Sequence, residues 1–562
     1  MFTGLSNAFS GLQAAQVGLS VTGHNISNST VTGYTRQMLV QTDYTSITVS
    51  SSKIGSYKNQ LGLGTTNAQI RQLRNSFYDV SYRNENSYAN YYAVKATASD
   101  EVNTILGELY SEYSAQDTIE GIWVALNEMI QDPGAIETRS TFISSLNNFI
   151  TKMQDINSNL QSYQMNLNEQ LKDEVSSVNA LVAGINEISL AIFDAENMGL
   201  NPNDLYDARN LLLDDLSGYI DVTIKEVAVA NSSATRIDLL VGGKEILANN
   251  VQQPLGLQYI NGDYPFYQVV FTESTEVLSC DAVVRLLYDD LSSEYLGVNS
   301  DTTMGSLKAT LISRGDVIGD YTMSDDDIGN YLVCTVQKDI DTIVHEIVTL
   351  INSMVMDYDS TDLNGDSGIP VFIRITDTNQ LVNEDGEIID TTDMTDEEIE
   401  ELIASGVAKY DDYSNDYYNI AEDSDNYDTL YTLENIMINP AFLESDGYNK
   451  LATSLSGDIS DNELLNQLND IWKNPIDDLG GYSIDDYYKK IVTDFAVSAQ
   501  EDQEKLASTV DILTLTDNTR LTISAVSMDE ELSYMIQYQY AYQAAAQVMS
   551  TIGTLMDEIM AW

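Results

Sequence analysis

His24 and His345 are the only histidines in 562 residues. Neither lies in a spacing such as HExxH, which sets two imidazoles on one helix face around zinc. Catalysis through histidine therefore has little to work with. Cys280 and Cys334 fit neither a CxxC redox pair nor a zinc ribbon, and read either as isolated thiols or as a single disulfide. Acid pairs are abundant, but an acid-rich solvated surface produces them by chance, so no glycosidase dyad can be singled out. The segment DLNGDSG, with Asp362, Asn364 and Asp366, opens like a calcium loop. An EF-hand would then need Gly at 367 and Glu at 373, where Ser367 and Ile373 stand, and the segment reads as an Asn-Gly turn. Gly62 and Gly64 form a GxG, but Asn67 replaces the third glycine and no strand-loop-helix context surrounds it. The expectation is a protein that is not an enzyme, with no catalytic residue, metal ligand or cofactor.

The most specific segment is NISNSTVTGYTRQ, Asn25 to Gln37. Asn, Ser, Thr and Gly favour side-chain-to-backbone turns, which would stop a preceding helix near Ile26 and lead into an extended stretch carrying Tyr34, Arg36 and Gln37. A generic polar loop is the alternative reading of the same residues.

Charge sets the wider frame. The chain carries 87 acids against 26 Lys and Arg, a formal net charge of −61. Nucleic acid and anionic lipid are bound through bases that neutralise phosphate, so both are disfavoured as partners. The charge is unevenly placed: Asp43 is the first acid, Arg36 is the only Lys or Arg before it, and Leu532 to Met556 is uncharged. The stretch from Asp357 to Lys450, by contrast, holds 25 acids and three bases. Near-neutral ends on so anionic a chain imply surfaces removed from water in the working state. Leu532 to Met556 is also the nearest approach to a membrane span, but Gln537, Gln539, Gln543 and Gln547 interrupt it, and no membrane insertion is expected. The opening MFTGLSNAFSGLQAAQ has no basic n-region and no continuous apolar h-region, so any export is expected to proceed without a cleavable signal peptide.

Those ends carry the clearest periodicity. Leu5, Ala8, Leu12, Ala15, Leu19, Thr22 and Ile26 alternate three and four apart, drawing one seam down a helix. Met528, Leu532, Met535, Gln539, Tyr542, Ala546, Met549, Gly553, Met556 and Met560 repeat the pattern, with a second apolar row that includes Ile552. The two helices could share a coiled-coil contact, or belong to an ordinary helical bundle. The N-terminal piece has few large apolar side chains for its length and needs partners to persist as helix. Between the ends, residues 84 to 131 read as helix up to the Asp132-Pro133-Gly134 turn, followed by a long heptad-spaced helix towards Pro202. Alternating β-branched runs at 219 to 230 and 236 to 247, with Gly242-Gly243 as a turn, begin a β insertion; helix resumes at about 305 to 357 and dominates from about 485.

The fold expected is α+β and multidomain, with a long coiled-coil-like helical core built from both terminal regions and β-rich domains inserted outward. The expected division is 1–83, terminal helix and extended segment; 84–218, a long helical bundle sharing its core with 485–562; 219–304, β-rich; 305–360, helical; 361–450, acidic and partly β; and 451–562, the helical return.

NISNSTVTGYTRQ resembles the signature of bacterial flagellar rod, hook and hook-associated axial proteins, an Asn-Ile-Ala-Asn run leading to Gly-Tyr-Ser-Arg-Gln. Ser27 and Thr35 are mild departures from it. Residues 526 to 560 are similar to the ending of the FlgK family of hook-associated junction proteins, with Asp529, Glu530 and Glu531 at the start and a Tyr-Gln-x-Ala-Tyr-Gln-Ala block in which Tyr540 departs from the usual Gln. Segments 61–83, 123–139 and 203–224, GSLKATL and DLNGDSG agree too, and the likeness runs out between about 370 and 435.

The resemblance implies an extracellular structural subunit of the hook-filament junction, exported by the flagellar type III route. It also implies terminal helices that form the inner tube through self-association. Implied partners are the hook protein, the second junction protein and an export chaperone at the C-terminal helix. The residues it marks for the assembly interface are Leu5, Leu12, Leu19, Asn25, Ile26, Asn28, Gly33, Tyr34, Arg36, Gln37, Leu532, Met535, Gln539, Tyr542, Met549, Ile552 and Met556. Two rivals remain at this stage: flagellin or a hook subunit, and an enzyme or adhesin grafted onto a flagellar core.

Overall fold

The computed structural model describes residues 2–43, 46–51, 58–62, 64–107, 114–230, 232, 234–260, 265–271, 304–324, 328–356, 360–375, 381–383, 389, 402, 403, 405, 408–410, 422, 423, 426–444 and 446–561. Cys280 and much of the acidic stretch lie outside these.

The chain opens with helix α1 (Phe2–Ser27), then a ribbon in which β1 (Gln37–Asp43) pairs antiparallel with β4 (Thr65–Gln72) and β2 (Ser46–Ser51) with β3 (Lys58–Gly62). The GxG belongs to this ribbon. Gly64 has φ +109°, and a Cβ there would lie 2.1 Å from Ser10 Oγ, so the glycine lets the ribbon lie against α1.

Helices α2 (Ser76–Leu106) and α3 (Ala115–Gln131) replace the single helix expected over 84–131. Gly107, left-handed at φ +69°, caps α2 through its N–H to Asn103 O, and a Ser114–Asp117 capping box starts α3. Periodicity alone runs across such a break because both helices bury apolar faces in one core.

The 62-residue α4 (Ile136–Asn197) is the spine. It is also the one described helix long and apolar enough to cross a membrane, a place the sequence reading gave to 532–556. Its apolar face is buried in the body instead. The first half, from Phe142 to Leu160, shares a core with α3, α7 (Leu332–Met356), the described parts of 371–442, α8 (Glu463–Lys473) and the start of α9 (Ile484–Ser524). The second half, from Leu171 to Ile185, shares another with α5 (Asn203–Tyr219), α6 (Ser306–Arg314) and the β insertion. α6 and α7 also correct an expectation, since the helix read across 305–357 stops at Arg314, where Gly315 takes φ +77°.

The insertion comprises an antiparallel sheet of β5 (Thr223–Ala228), β6 (Thr235–Val241), β7 (Lys244–Ala248) and β8 (Val251–Gln252), plus the pair β9 (Leu255–Tyr259) and β10 (Tyr267–Phe271). Gly242 and Gly243 make the β6–β7 turn, both with positive φ. Polar residues on α4 fasten it. Asn179 Oδ1 accepts from Leu255 N–H at 2.8 Å while its Nδ2 donates to Leu255 O at 2.8 Å, and Asn168 Oδ1 accepts from Tyr267 N–H at 2.9 Å. These amides satisfy strand edges that would otherwise be buried without partners. Short pairs of β11 (Phe372–Arg374) with β14 (Ile436–Ile438), and β12 (Leu381–Asn383) with β13 (Ala408–Tyr410), complete the strands. DLNGDSG is a turn in which Asp362 Oδ1 accepts from Asn364 N–H at 2.7 Å and Asp366 N–H at 2.9 Å.

The chain closes with α10 (Met528–Met560), which packs along α1, while α9 packs along α2. The architecture is α+β, with the terminal helices paired, the β1–β4 ribbon following the first of them and the other small sheets carried by the middle of the chain.

Candidate functional site where the two termini meet

Helix α1 ends by satisfying its own last carbonyls. Ser27 Oγ donates to Gly23 O at 2.8 Å, Asn28 Nδ2 to His24 O at 3.0 Å and Ser29 Oγ to Ile26 O at 3.0 Å. Gly33, at φ +79°, then turns the chain over Leu211 of α5. The segment is thereby aimed at the starts of α5 and α10.

Asn25, 1% exposed, is the centre. Its Oδ1 accepts from Gln37 N–H at 3.0 Å and Tyr34 O–H at 2.8 Å; its Nδ2 donates to Gln37 O at 2.9 Å and Glu531 Oε2 at 3.1 Å. One amide thus joins α1, the extended segment and α10. Arg36 forks over two carboxylates, Nε to Glu531 Oε1 and Nη1 to Glu530 Oε2, both at 2.7 Å. Its backbone N–H donates to Ser524 O at 2.8 Å, and its guanidinium lies 5.7 Å from the Tyr534 ring centroid. Gln37 Nε2 donates to Asp204 Oδ1 at 3.0 Å, and Thr35 N–H to Asp207 Oδ2 at 3.0 Å.

The electrostatics follow from burial. Burial opposes the charge on Arg36, but its bonds to Glu530 and Glu531 outweigh this and raise its pKa. Burial raises the Asp207 pKa against the opposing bond from Thr35 N–H. Burial, then the charges of Asp204, Asp207 and Glu531, raise that of the Tyr34 phenol. A second clasp lies alongside: Asp214 of α5 accepts from Arg83 of α2 at 2.7 Å and Arg520 of α9 at 2.6 Å, with Arg520 stacked 3.8 Å over the Tyr82 ring.

Of the residues marked by the sequence, Asn25, Tyr34, Arg36 and Gln37 converge here. Asn28 caps α1, and Gly33 makes the turn. Leu5, Leu12, Leu19 and Ile26 are half-buried, flanking a buried row of Ala8, Ala15 and Thr22. On α10, Met535, Met549, Ile552 and Met556 are half-buried, whereas Leu532, Gln539 and Tyr542 remain exposed. Closest approach of the helices uses a small residue: a Cβ on Gly18 would lie 2.5 Å from the Tyr538 ring, and Ile552 Cδ1 is 3.4 Å from one on Gly4. The sequence did not mark Glu530, Glu531, Asp204, Asp207 and Tyr538 as part of this interface. The signal for the acids was available, because the lone base of the first 42 residues requires a carboxylate and Asp529–Glu531 is the acidic cluster that opens α10.

The arrangement holds neither a nucleophile paired with a base nor converging metal ligands. It is a clamp that fixes where the two ends of the chain meet. Cys334, far from it, is a buried free thiol whose Sγ lies 2.9 Å from Val317 O.

A family model described as the flagellar hook-associated protein FlgK helical domain matches residues 99–372, and one described as the flagellar basal body rod FlgEFG protein C-terminal matches 518–561. Flagellar hook-associated protein 1 of Bacillus subtilis (strain 168) is 25% identical over 562 residues, spanning 100% of this chain and 98% of its own length. The protein of the same name in Salmonella typhimurium is 20% identical over 581 residues, spanning 99% of each. A solved structure of the flagellar hook junction protein FlgK from Burkholderia pseudomallei aligns with 54% of this chain and 47% of that one, at 16% identity and a TM-score of 0.38.

Proposed function

Since the chain belongs to the FlgK family of flagellar hook-associated proteins, we propose that it is a structural subunit of the bacterial flagellum that forms the hook-filament junction and assembles through its terminal helices. One observation carries this reading. The α1–α10 pair is locked at its base by Asn25, Arg36 and Glu531, yet turns Leu532, Ile536, Tyr540, Val548, Leu555 and Ile559 outward, each at least 45% exposed. A paired helix with an exposed apolar row gains by packing against neighbours.

Self-association in the axial tube is the proposed occupant of that row, with the hook protein and the second junction protein above and below. An export chaperone would shield α10 before assembly. The subunit would reach the extracellular junction by type III export, its units divided at the boundaries given from the sequence. No enzymatic activity is part of this reading; the relatives are structural flagellar proteins.

Labelled antibody on purified flagella tests the placement: a band at the hook-filament boundary is expected, and label along the whole filament or hook would overturn it.

A further inference from the structure

The DLNGDSG turn stands on an anchored base. Thr361 N–H donates to Ser454 O at 2.8 Å, Thr453 N–H to Thr361 O at 3.2 Å and Leu363 N–H to Asn449 O at 3.1 Å. Arg139 of α4, 1% exposed, holds the same stretch by donating to Leu451 O and Thr453 Oγ1. Asp362 organises the turn itself. Besides the two N–H groups on its Oδ1, its Oδ2 accepts from Asn364 Nδ2 at 3.2 Å, and its own N–H donates to Asp366 O at 2.9 Å.

Asn364 and Gly365, at the tip, are exposed. Gly365 takes φ +87°, and a Cβ there would meet nothing within 4 Å. Its N–H donates to Asp362 O at 3.2 Å, the long end of the range for such bonds. The glycine makes this tip reactive. A main-chain nitrogen that follows asparagine can attack the side-chain amide carbon, and a Cβ on the attacking residue would obstruct the approach and narrow its backbone freedom. The other Asn-Gly pair of the chain, Asn261–Gly262, lies outside the described residues. Asn157–Ser158, by contrast, sits inside α4, where main-chain N–H groups are held by the carbonyls four residues back.

We infer that Asn364 is a site of spontaneous deamidation, a covalent change that accumulates with the age of the subunit. The Gly365 nitrogen gives its proton to solvent base and bonds to Asn364 Cγ; the Cγ–Nδ2 bond breaks, and the amide nitrogen leaves as ammonia with a proton from water. The succinimide so formed takes up one water. Opening at Cγ gives aspartate, and opening at the main-chain carbonyl gives isoaspartate, with the backbone rerouted through the side chain. Either product removes the Nδ2 donor to Asp362 and sets a third carboxylate beside Asp362 and Asp366. The longer isoaspartyl backbone also draws Asp366 N–H off Asp362 Oδ1, loosening the turn.

Peptide mapping by mass spectrometry tests this on the full-length subunit, incubated at neutral pH both folded and unfolded in urea. In the folded chain a gain of one mass unit at Asn364, with isoaspartate among the products, and no gain at Asn157 are expected. Conversion should be slower than in urea, because the bonds to Asp362 restrain both reacting groups, and Asn364→Gln should abolish the gain over the same period. The inference is overturned if Asn364 stays intact in the folded chain over a period that converts it completely in urea, or if Asn157 converts as fast.

Discussion

At the scale of single residues, the clamp rests on Asn25 and Arg36, and Asn25 has no surplus hydrogen-bonding capacity. Asn25 uses its Oδ1 twice and its Nδ2 twice, so Asn25→Asp would remove both donors and set a carboxylate against Glu531. Arg36 is the fixed charge that makes burial of Glu531, 3% exposed, tolerable. Arg36→Ala leaves that carboxylate with Asn25 alone and should destabilise the docking of α10 by about 3 kcal/mol. Arg36→Lys should recover only part of it, because one ammonium cannot reproduce the fork over Glu530 and Glu531. Hydrogen exchange of the amides in 528–540 reads both effects; unchanged protection in Arg36→Ala would show that the clamp contributes nothing. The pairing of Arg36 with Glu531 was foreseeable in kind, since a lone base in a neutral segment seeks an acid. The choice among the acids was settled by geometry.

At the scale of elements, helix pairs are set by small residues and the β insertion by amides. Gly18→Leu drives a side chain into Tyr538 and should loosen α1 from α10 by about 1 to 3 kcal/mol, with Tyr538→Ala restoring much of the loss. Limited proteolysis within 1–36 reads the pair; a single variant as resistant as the parent would mean that the contact is not a close one. Asn179→Ala removes both partners of Leu255 backbone groups and should cost about 2 kcal/mol. A calorimetric melt should show the insertion's transition lowered while the terminal clamp is untouched. Sequence periodicity recovered helix type over most of these elements but overran two breaks, at Gly107 and Gly315. Apolar spacing records which face is buried, not whether the backbone is continuous.

For the molecule as a whole, two predictions follow from how little the α1–α10 pair buries and from how α7 is tied to the acidic region. The buried residues of α1 are largely small, Ala8, Ala14, Ala15 and Val21, so in the isolated subunit the amides of 2–20, ahead of the clamp, should exchange readily and gain protection on assembly. Strong protection before assembly would refute ordering through neighbours.

His345 sits 3.0 Å from Glu422 and stacks on Tyr321. Burial opposes its charge, but bonds to Glu346 and Glu422 prevail and set its pKa at about 9, against an ordinary 6.5. That stabilisation is complete below pH 6.5 and is lost as pH rises through 9. Burial pushes Asp341 up to about 7 from 3.8 despite its two backbone bonds, so the folded state also loses stability as pH climbs between those values. Burial would raise the Glu422 pKa, but bonds from His345 and Tyr321 hold it at about 2, so its share is present above 4.5 and lost as pH falls towards 2. The α7 region should therefore be most stable near pH 5 and weaken towards pH 9, with His345→Gln flattening the alkaline limb. Melting temperature against pH measures this, and an alkaline limb of unchanged slope in His345→Gln would assign the loss elsewhere.

By itself the sequence determined the neutral, striped ends, the stop after Ile26, the spine helix, the β insertion with its Gly242-Gly243 turn, and the family resemblance. All are local or compositional properties that need no knowledge of which segments meet. Tertiary structure alone decided that Asn25, Arg36, Asp204, Asp207 and Glu531 share one network although up to 506 residues separate them. It also decided that Gly18 and Gly4 lie against Tyr538 and Ile552 while Leu532 and Tyr542 face outward. Periodicity assigns a stripe to a helix, but only the partner's position chooses which edge of that stripe is covered, because burial is a property of pairs of surfaces.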